Sequence, residues 1–285
     1  MTQPCLTLYQ VDAFVRRRTA ETGQKPFFTG NPAAVVPLDH WLPDDLMQAI
    51  AASNNPSETA FFTGNSGHYD IRWFTPQCEV DLCGHATLAS AWVIRHQLGD
   101  HSAQLNFRTQ QAGTLSVAAD GDLLQLNFPA RVPRPNTDVV LKQTLEQALG
   151  QKVKRLADSR DLIAELENQQ AVLDCQPDYS ALAQLPWFAV AITARSDSQD
   201  YDFVSRFFAP AQGIEEDPVT GSSFCSLAPY WQEQDGEDTP AHPLRAWQCS
   251  ARGGDIQLAL TADRVLIAGR CELYLSGTLH LPAIR

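Results

Sequence analysis

Two stretches of this chain are versions of one another, and a chain assembled from a repeated unit has few folds open to it. The first runs Tyr69-Asp70-Ile71-Arg72-Trp73-Phe74-Thr75-Pro76, continues through acidic residues from Glu79 to Leu82, and reaches Cys83-Gly84-His85-Ala86-Thr87. The second runs Tyr201-Asp202-Phe203-Val204-Ser205-Arg206-Phe207-Phe208-Ala209-Pro210, then Glu215-Glu216-Asp217-Pro218-Val219-Thr220-Gly221-Ser222. Each opens on tyrosine and aspartate, closes an aromatic run with proline, passes an acidic segment and meets a glycine at a predicted helix start, roughly 135 positions apart. The pattern predicts two homologous halves. If these face each other, Cys83 to His85 and Asp217 to Ser222 line one cleft from opposite walls, the arrangement a two-sided acid/base enzyme needs.

The chain has 285 residues, more than one ordinary core requires. If compact, a chain of that length buries about 75% of its unfolded surface. Lys and Arg number 21 against 33 Asp and Glu, a net charge of -12, which repels phosphate backbones and anionic headgroups. Nucleic acid and membrane surfaces are therefore poor partners, and a small molecule is the expected one. No apolar run approaches the ~20 residues of a membrane span, and the amino terminus lacks the basic and apolar segments of a secretory leader. The seven cysteines are odd in number, scattered and without Cys-x-x-Cys spacing, which predicts reduced thiols in the cytoplasm.

Periodicity places the motifs. Leu6 to Phe14 alternates as a strand, and Ala33 to Pro37 is an apolar run after the turn Thr29-Gly30-Asn31-Pro32. Pro43, Asp44 and Asp45 open a helix that stops at Ser53 to Pro56. Ser57 to Phe62 then reads as a strand with Glu58 at its start, and Tyr69 to Phe74 as another. The helix from His85 carries Ala86, Leu88, Ala89, Ala91, Trp92, Val93 and Ile94, so it is apolar on every side and must be surrounded by protein. Asp120-Gly121 predicts a hairpin between Thr114–Ala118 and Leu123–Asn127. The proline-rich segment Pro129 to Asn136 marks the boundary between an N-terminal half, 1–130, and a C-terminal half, 131–285, whose last strand may rejoin the first. The second half begins with a helix from Asp138 to Leu149 stopped by Gly150. Apolar alternation follows at Leu162 to Leu166 and Ala171 to Leu173, then a short helix near Tyr179 to Leu185 and strands at Trp187 to Thr193 and Tyr201 to Phe208. The helix after Gly221 should be strained or ended by Pro229. The last strands are Ile256 to Leu260, Arg264 to Ala268 and Leu273 to Leu275.

Gly30-Asn31-Pro32-Ala33-Ala34-Val35-Val36, Ser57-Glu58-Thr59-Ala60-Phe61, Asp81-Leu82-Cys83-Gly84-His85-Ala86-Thr87-Leu88 and Glu216-Asp217-Pro218-Val219-Thr220-Gly221-Ser222, with Gln248 to Gly254 and its Arg252-Gly253-Gly254 later, together resemble the PhzF-like isomerase family of phenazine biosynthesis. The resemblance spans nearly the whole chain in order. It implies an α/β (α+β) fold similar to diaminopimelate epimerase: two pseudo-symmetric domains, each a curved mixed β-sheet wrapped around a central helix, with the active site between them. It also implies a cofactor-independent isomerase, a small carboxylate-bearing substrate and a homodimer.

Moving a proton between carbon atoms requires a base that can later act as an acid, shielded from water. Glu58, followed by Ala60, Phe61 and Phe62, is the candidate, its pKa expected to rise by desolvation; in the resembling family the glutamate of this motif transfers the proton. The alternative is a surface glutamate at a strand start. Asp217, pushed to extended backbone by Pro218, and His85, at a helix start, are assigned to catalysis by the resemblance. Their plainer readings are a turn aspartate and a satisfied polar residue. Gly84 and Gly221 let helix-start amides approach an anionic ligand. Ser57, Ser222 and Cys83 complete the substrate-binding set, although Ser222 could equally be an N-cap. Relatives often carry Gly-Ser-Ala-His-Cys where this chain has Gly221-Ser222-Ser223-Phe224-Cys225, so no histidine is available there. Related epimerases use two cysteines; here Cys83 stands at the first position and Asp217 at the second. A Cys83-dependent racemase or epimerase, and a binding protein without turnover, stay open as alternatives. No metal is assigned, because no pair of the seven histidines shows His-x-x-x-His spacing.

Overall fold

The computed structural model describes residues 5–17, 27–54, 56–234 and 242–281. The chain divides into two compact units, one comprising Met1–Val15, Gly30–Asn127 and Ala268–Arg285, the other Arg16–Thr29 and Phe128–Ile267. Two of the four divisions fall inside strands, at 127/128 and 267/268.

The first unit holds β1 (Cys5–Ala13), β2 (Asn31–Pro37), α1 (Asp44–Asn54), β3 (Glu58–Asn65), β4 (His68–Phe74), β5 (Glu79–Val80), α2 (Gly84–His96), β6 (Gln104–Arg108), β7 (Thr114–Asp120) and most of β8 (Leu123–Pro129). The second holds β9 (Arg134–Asn136), α3 (Val139–Leu149), β10 (Val153–Asp158), β11 (Leu162–Leu166), α4 (Gln169–Leu173), α5 (Tyr179–Leu182), β12 (Val190–Arg195), β13 (Phe203–Phe208), α6 (Phe224–Gln234), β14 (Leu244–Gln248), β15 (Gly254–Thr261) and most of β16 (Arg264–Gly269). The last strand, β17 (Cys271–His280), pairs antiparallel with β1, with a register shift between Gln10 and Val11.

The repeat seen in the sequence reappears as a repeat of strand direction. From β1 through β2, β3, β4 and β6 to β7, neighbours pair antiparallel, parallel, antiparallel, parallel, antiparallel. From β10 through β11, β12, β13 and β14 to β15 the same succession recurs. Parallel neighbours need a crossover, and α1 and α2 supply it in the first unit between β2 and β3 and between β4 and β6. The equivalent arginines hold equivalent glutamates. Arg72 of β4 grips Glu79 through Nε and Nη2 at 2.7 and 2.6 Å, and Arg206 of β13 grips Glu216 in the same forked way at 2.7 and 2.9 Å.

Burial follows the patterning. In α2 everything from Gly84 to Ala91, with Val93 and Ile94, is buried, and the helix packs on β1, β2 and β3 as an all-round apolar helix must. In the second unit α6 stacks Trp231 on Phe203 at 5.6 Å, and Thr193 of β12 accepts the Trp231 indole N–H at 3.0 Å. Leu145 and Leu149 of α3, Val172 of α4 and Leu182 of α5 share one core with Ile192, Val204 and Phe208. Among the described residues no helix is long and apolar enough to cross a membrane.

Three local expectations need correction. Ala171 to Leu173 belongs to a helix, because the Asn168 side chain accepts the Ala171 N–H at 2.9 Å and caps it. The helix from Tyr179 ends at Leu182, three residues early. Pro229 does not end α6, which continues to Gln234; the Cys225 carbonyl that Pro229 cannot engage accepts the Arg131 backbone N–H at 2.8 Å instead. β6, β10 and β14 have no counterpart among these expectations, although β6 alternates from Gln104 to Arg108 with Leu105 and Phe107 buried.

Candidate active site

The starts of two parallel strands and of one helix meet in the first unit. In the β2/β3 register Ala33 lies opposite Glu58, so the strands begin along the same edge. Gly30, at φ +83° just before β2, is required to be glycine, since a Cβ there would meet the Ala13 carbonyl oxygen. It delivers Asn31, which is fully buried. The apolar body of α2 lies against these strands, and its first turn brings Cys83 and His85 to Glu58.

His85 Nε2 lies 3.1 Å from Glu58 Oε2, with the two side chains only 7% and 12% exposed. Across the ring, Nδ1 lies 3.3 Å from Asn31 Nδ2 and 3.5 Å from Cys83 Sγ. The Ser57 hydroxyl reaches Asn31 Oδ1 and the Pro32 carbonyl, each at 3.4 Å. Beyond the His85 contact, Glu58 Oε2 is buried without a hydrogen-bond donor among the described residues.

The charges arrange themselves accordingly. Burial pushes Glu58 upward, but the His85 charge and hydrogen bonding from His85 and Ser57 outweigh it and hold the carboxyl below its ordinary 4.5. Burial likewise disfavours a charged His85, yet the Cys83 sulfur and the Glu58 carboxylate hold it well above the ordinary 6.5. Cys83 is pushed up, chiefly by burial, so a neutral thiol faces the pair. The expected upward shift of Glu58 is thus overturned: desolvation acts as anticipated, and a histidine three elements away reverses it. Both directions favour a carboxylate beside an imidazolium.

The second cluster is a hydrogen-bonded network. The Asp217 N–H donates to the Phe207 carbonyl at 3.0 Å, which fixes the chain just past β13. Gln248, fully buried at the end of β14, accepts the Thr220 N–H at 2.8 Å through Oε1 and donates to the Asp217 carbonyl at 2.8 Å through Nε2. The Thr220 hydroxyl donates to Asp217 Oδ2, and the Ser250 hydroxyl donates to the Pro218 carbonyl at 2.7 Å. Gly221 opens a single 3-10 turn, Gly221–Ser223, preceded by Thr220, which provides no side-chain cap. Ser222 is therefore not an N-cap. Its oxygen accepts Arg160 Nη2 at 3.1 Å while Arg160 pairs with buried Asp161 at 2.9 and 3.0 Å.

The structure groups Glu58, His85, Cys83 and Ser57 in the first unit, beside Gly84, and Asp217, Gly221 and Ser222 in the second. Sequence reasoning gave no role to Asn31 or Gln248, although Asn31 stands in a quoted motif after a positive-φ glycine and Gln248 opens the late motif that ends at Gly254; Arg160 had no local signal. The histidine spacing also hid a group able to ligate a cation, because only one of its three members, Glu58, Cys83 and His85, is a histidine.

Residues 22–277 match the sequence profile of the phenazine biosynthesis-like proteins, PhzC-PhzF. The chain belongs to that family. An uncharacterized isomerase of Pseudomonas aeruginosa is 48% identical over 97% of this chain and 99% of its own. The crystal structure of a PhzF-family phenazine biosynthesis protein of Enterococcus faecalis superposes with a TM-score of 0.88 at 39% identity, over 98% of this chain and 100% of its own. A hydroxyproline epimerase of Agrobacterium vitis shares the fold alone, at a TM-score of 0.56 and 9% identity over 97% of this chain and 93% of its own. The expected fold class, mixed α/β and related to the epimerases, is the one found, and family membership points to PhzF-like isomerase activity.

Proposed function

We propose that this family member is a cofactor-independent isomerase that moves a proton within a small carboxylate-bearing substrate, with Glu58 as the acid/base group. One observation carries the reading: a carboxylate only 12% exposed, placed against His85, with an oxygen that has no other donor among the described residues. Such an oxygen is free to take a proton from carbon while the substrate retains the electron pair, and to return it at another carbon. Held below its ordinary value, Glu58 starts as the base. His85 keeps it there and can donate to charge that develops on the substrate. The helix start at Gly84 has no side-chain cap, which suits a carboxylate partner.

Asp217 is proposed to take part in the same reaction, with Gly221 and Ser222 contributing to substrate binding. The homodimer, the cytoplasmic location and the absence of a nucleic-acid partner belong to the same proposal; light scattering on the purified chain tests the dimer. A thiol kept protonated by burial weighs against Cys83 as the base.

The test is a screen of small carboxylates in heavy water, read by mass for carbon-bound deuterium. Turnover with solvent deuterium in the product supports the reading. A Glu58→Gln chain that folds normally and isomerises at the wild-type rate would refute it, and tight binding without deuterium uptake would mark a binding protein.

A further inference from the structure

The groups around Glu58 have a capacity that proton transfer does not use. A carboxylate oxygen, an imidazole nitrogen and a thiol sulfur, from Glu58, His85 and Cys83, lie within 4.8 Å of one another. In a tetrahedral zinc site with bonds of about 2.0–2.3 Å, neighbouring ligand atoms stand roughly 3.3–3.6 Å apart. Here Glu58 Oε2 to His85 Nε2 is 3.1 Å, Cys83 Sγ to His85 Nε2 is 3.9 Å and the Glu58 and Cys83 ligand atoms lie within 4.8 Å, so side-chain adjustments of about 1 Å suffice. The Glu58 oxygen at this point is buried and, beyond the His85 contact, lacks a hydrogen-bond donor among the described residues, so once His85 has lost its Nε2 proton the oxygen's lone pairs are available. Asn31, 3.3 Å from His85 Nδ1, stands where an outer hydrogen bond sets which nitrogen is presented. A thiolate, an imidazole and a carboxylate suit zinc, whereas magnesium and calcium take all-oxygen shells.

We propose that Glu58, Cys83 and His85 form a site for a thiophilic divalent cation of the zinc type, and that occupation silences the proton transfer. On binding, the Cys83 S–H bond breaks and its proton leaves to solvent as the sulfur–metal bond forms; His85 releases its Nε2 proton in the same way. Three protein ligands leave a fourth position for water or a ligand carboxylate. The binding half stands on geometry alone, and the silencing half rests on the function proposed above.

The experiment titrates the full chain, metal-free and without a tag, with cobalt(II) alone and with zinc against a chromophoric chelator. One ion per chain and a cobalt–thiolate charge-transfer absorption are expected. Cys83→Ser should abolish the absorption and weaken zinc at least about 100-fold, since even outer-shell changes cost 10- to 100-fold. Cys78→Ser, at an exposed thiol, should change neither. A wild-type chain without the cobalt–thiolate absorption, or zinc affinity unchanged in Cys83→Ser, overturns the site, and the spectrum decides this even if the variant does not fold. Deuterium uptake that proceeds undiminished with zinc bound overturns the silencing half. If no carboxylate exchanges at all, that half falls together with the proton-transfer reading while the cobalt spectrum still judges the site.

Discussion

The two units repeat one another in frame and differ in contents. Strand direction, the arginine-to-glutamate fork and a mostly buried helix after the motif occur in both. The first motif, however, ends in an ion pair with an under-bonded oxygen, and the second in a net of satisfied hydrogen bonds around Gln248. The same scaffold can therefore be tuned locally: one loop is left chemically uncommitted and the other is tied in place.

The sharpest way to break that contrast is kinetic. Glu58→Gln should lower isomerisation by about 10²–10⁴-fold, the usual worth of a positioned acid/base group, in a deuterium-uptake assay against an identified substrate. Asp217→Asn in the same assay should cost less, and the reverse order would place the base in the wrong unit.

Stability comes next. Arg206→Met strands Glu216 and removes donors from the Val172 and Cys175 carbonyls, 3.2 and 2.6 Å away. A loss of about 3–5 kcal/mol is expected from denaturant titration. Arg72→Met should cost less, because its partners Asp44 and Glu79 are 76% and 33% exposed and can return to water. Equal losses would show that the forks do not differ as their surroundings suggest. Gln248→Leu, which leaves the Thr220 N–H and the Asp217 carbonyl without their partner, should cost about 1–3 kcal/mol. It should reduce turnover only through Asp217, so that it adds nothing to Asp217→Asn.

The smallest effect is in pH. Glu58 is held low, so its contribution is complete above 4.5 and is lost as pH falls through its lowered value. His85 is held high, so its contribution is complete below 6.5 and is lost as pH rises through its raised value. The stability gap between the wild type and His85→Gln should therefore be widest between those values and narrow on both sides. A gap independent of pH would mean that the ion pair adds nothing.

The repeat, the enclosed helix α2 and the position of Glu58 at a strand start were legible because each depends on local periodicity or on a turn. The charge state of Glu58 was not, since it is decided by His85, 27 positions along the chain. Nor were the hydrogen bonds of Asn31 and Gln248, which stand in recognisable motifs but find their partners in distant loops and a helix. α4 was misread because three apolar residues suit either period, and its cap, Asn168, stands outside them.

Pro229 has a consequence beyond its own helix. By surrendering the Cys225 carbonyl to Arg131, it stitches the stretch that leads out of β8 onto the first turn of α6. An alanine at 229 would compete for that oxygen and loosen the seam, so a proline that looks like a flaw in its helix serves to fasten a neighbouring backbone segment.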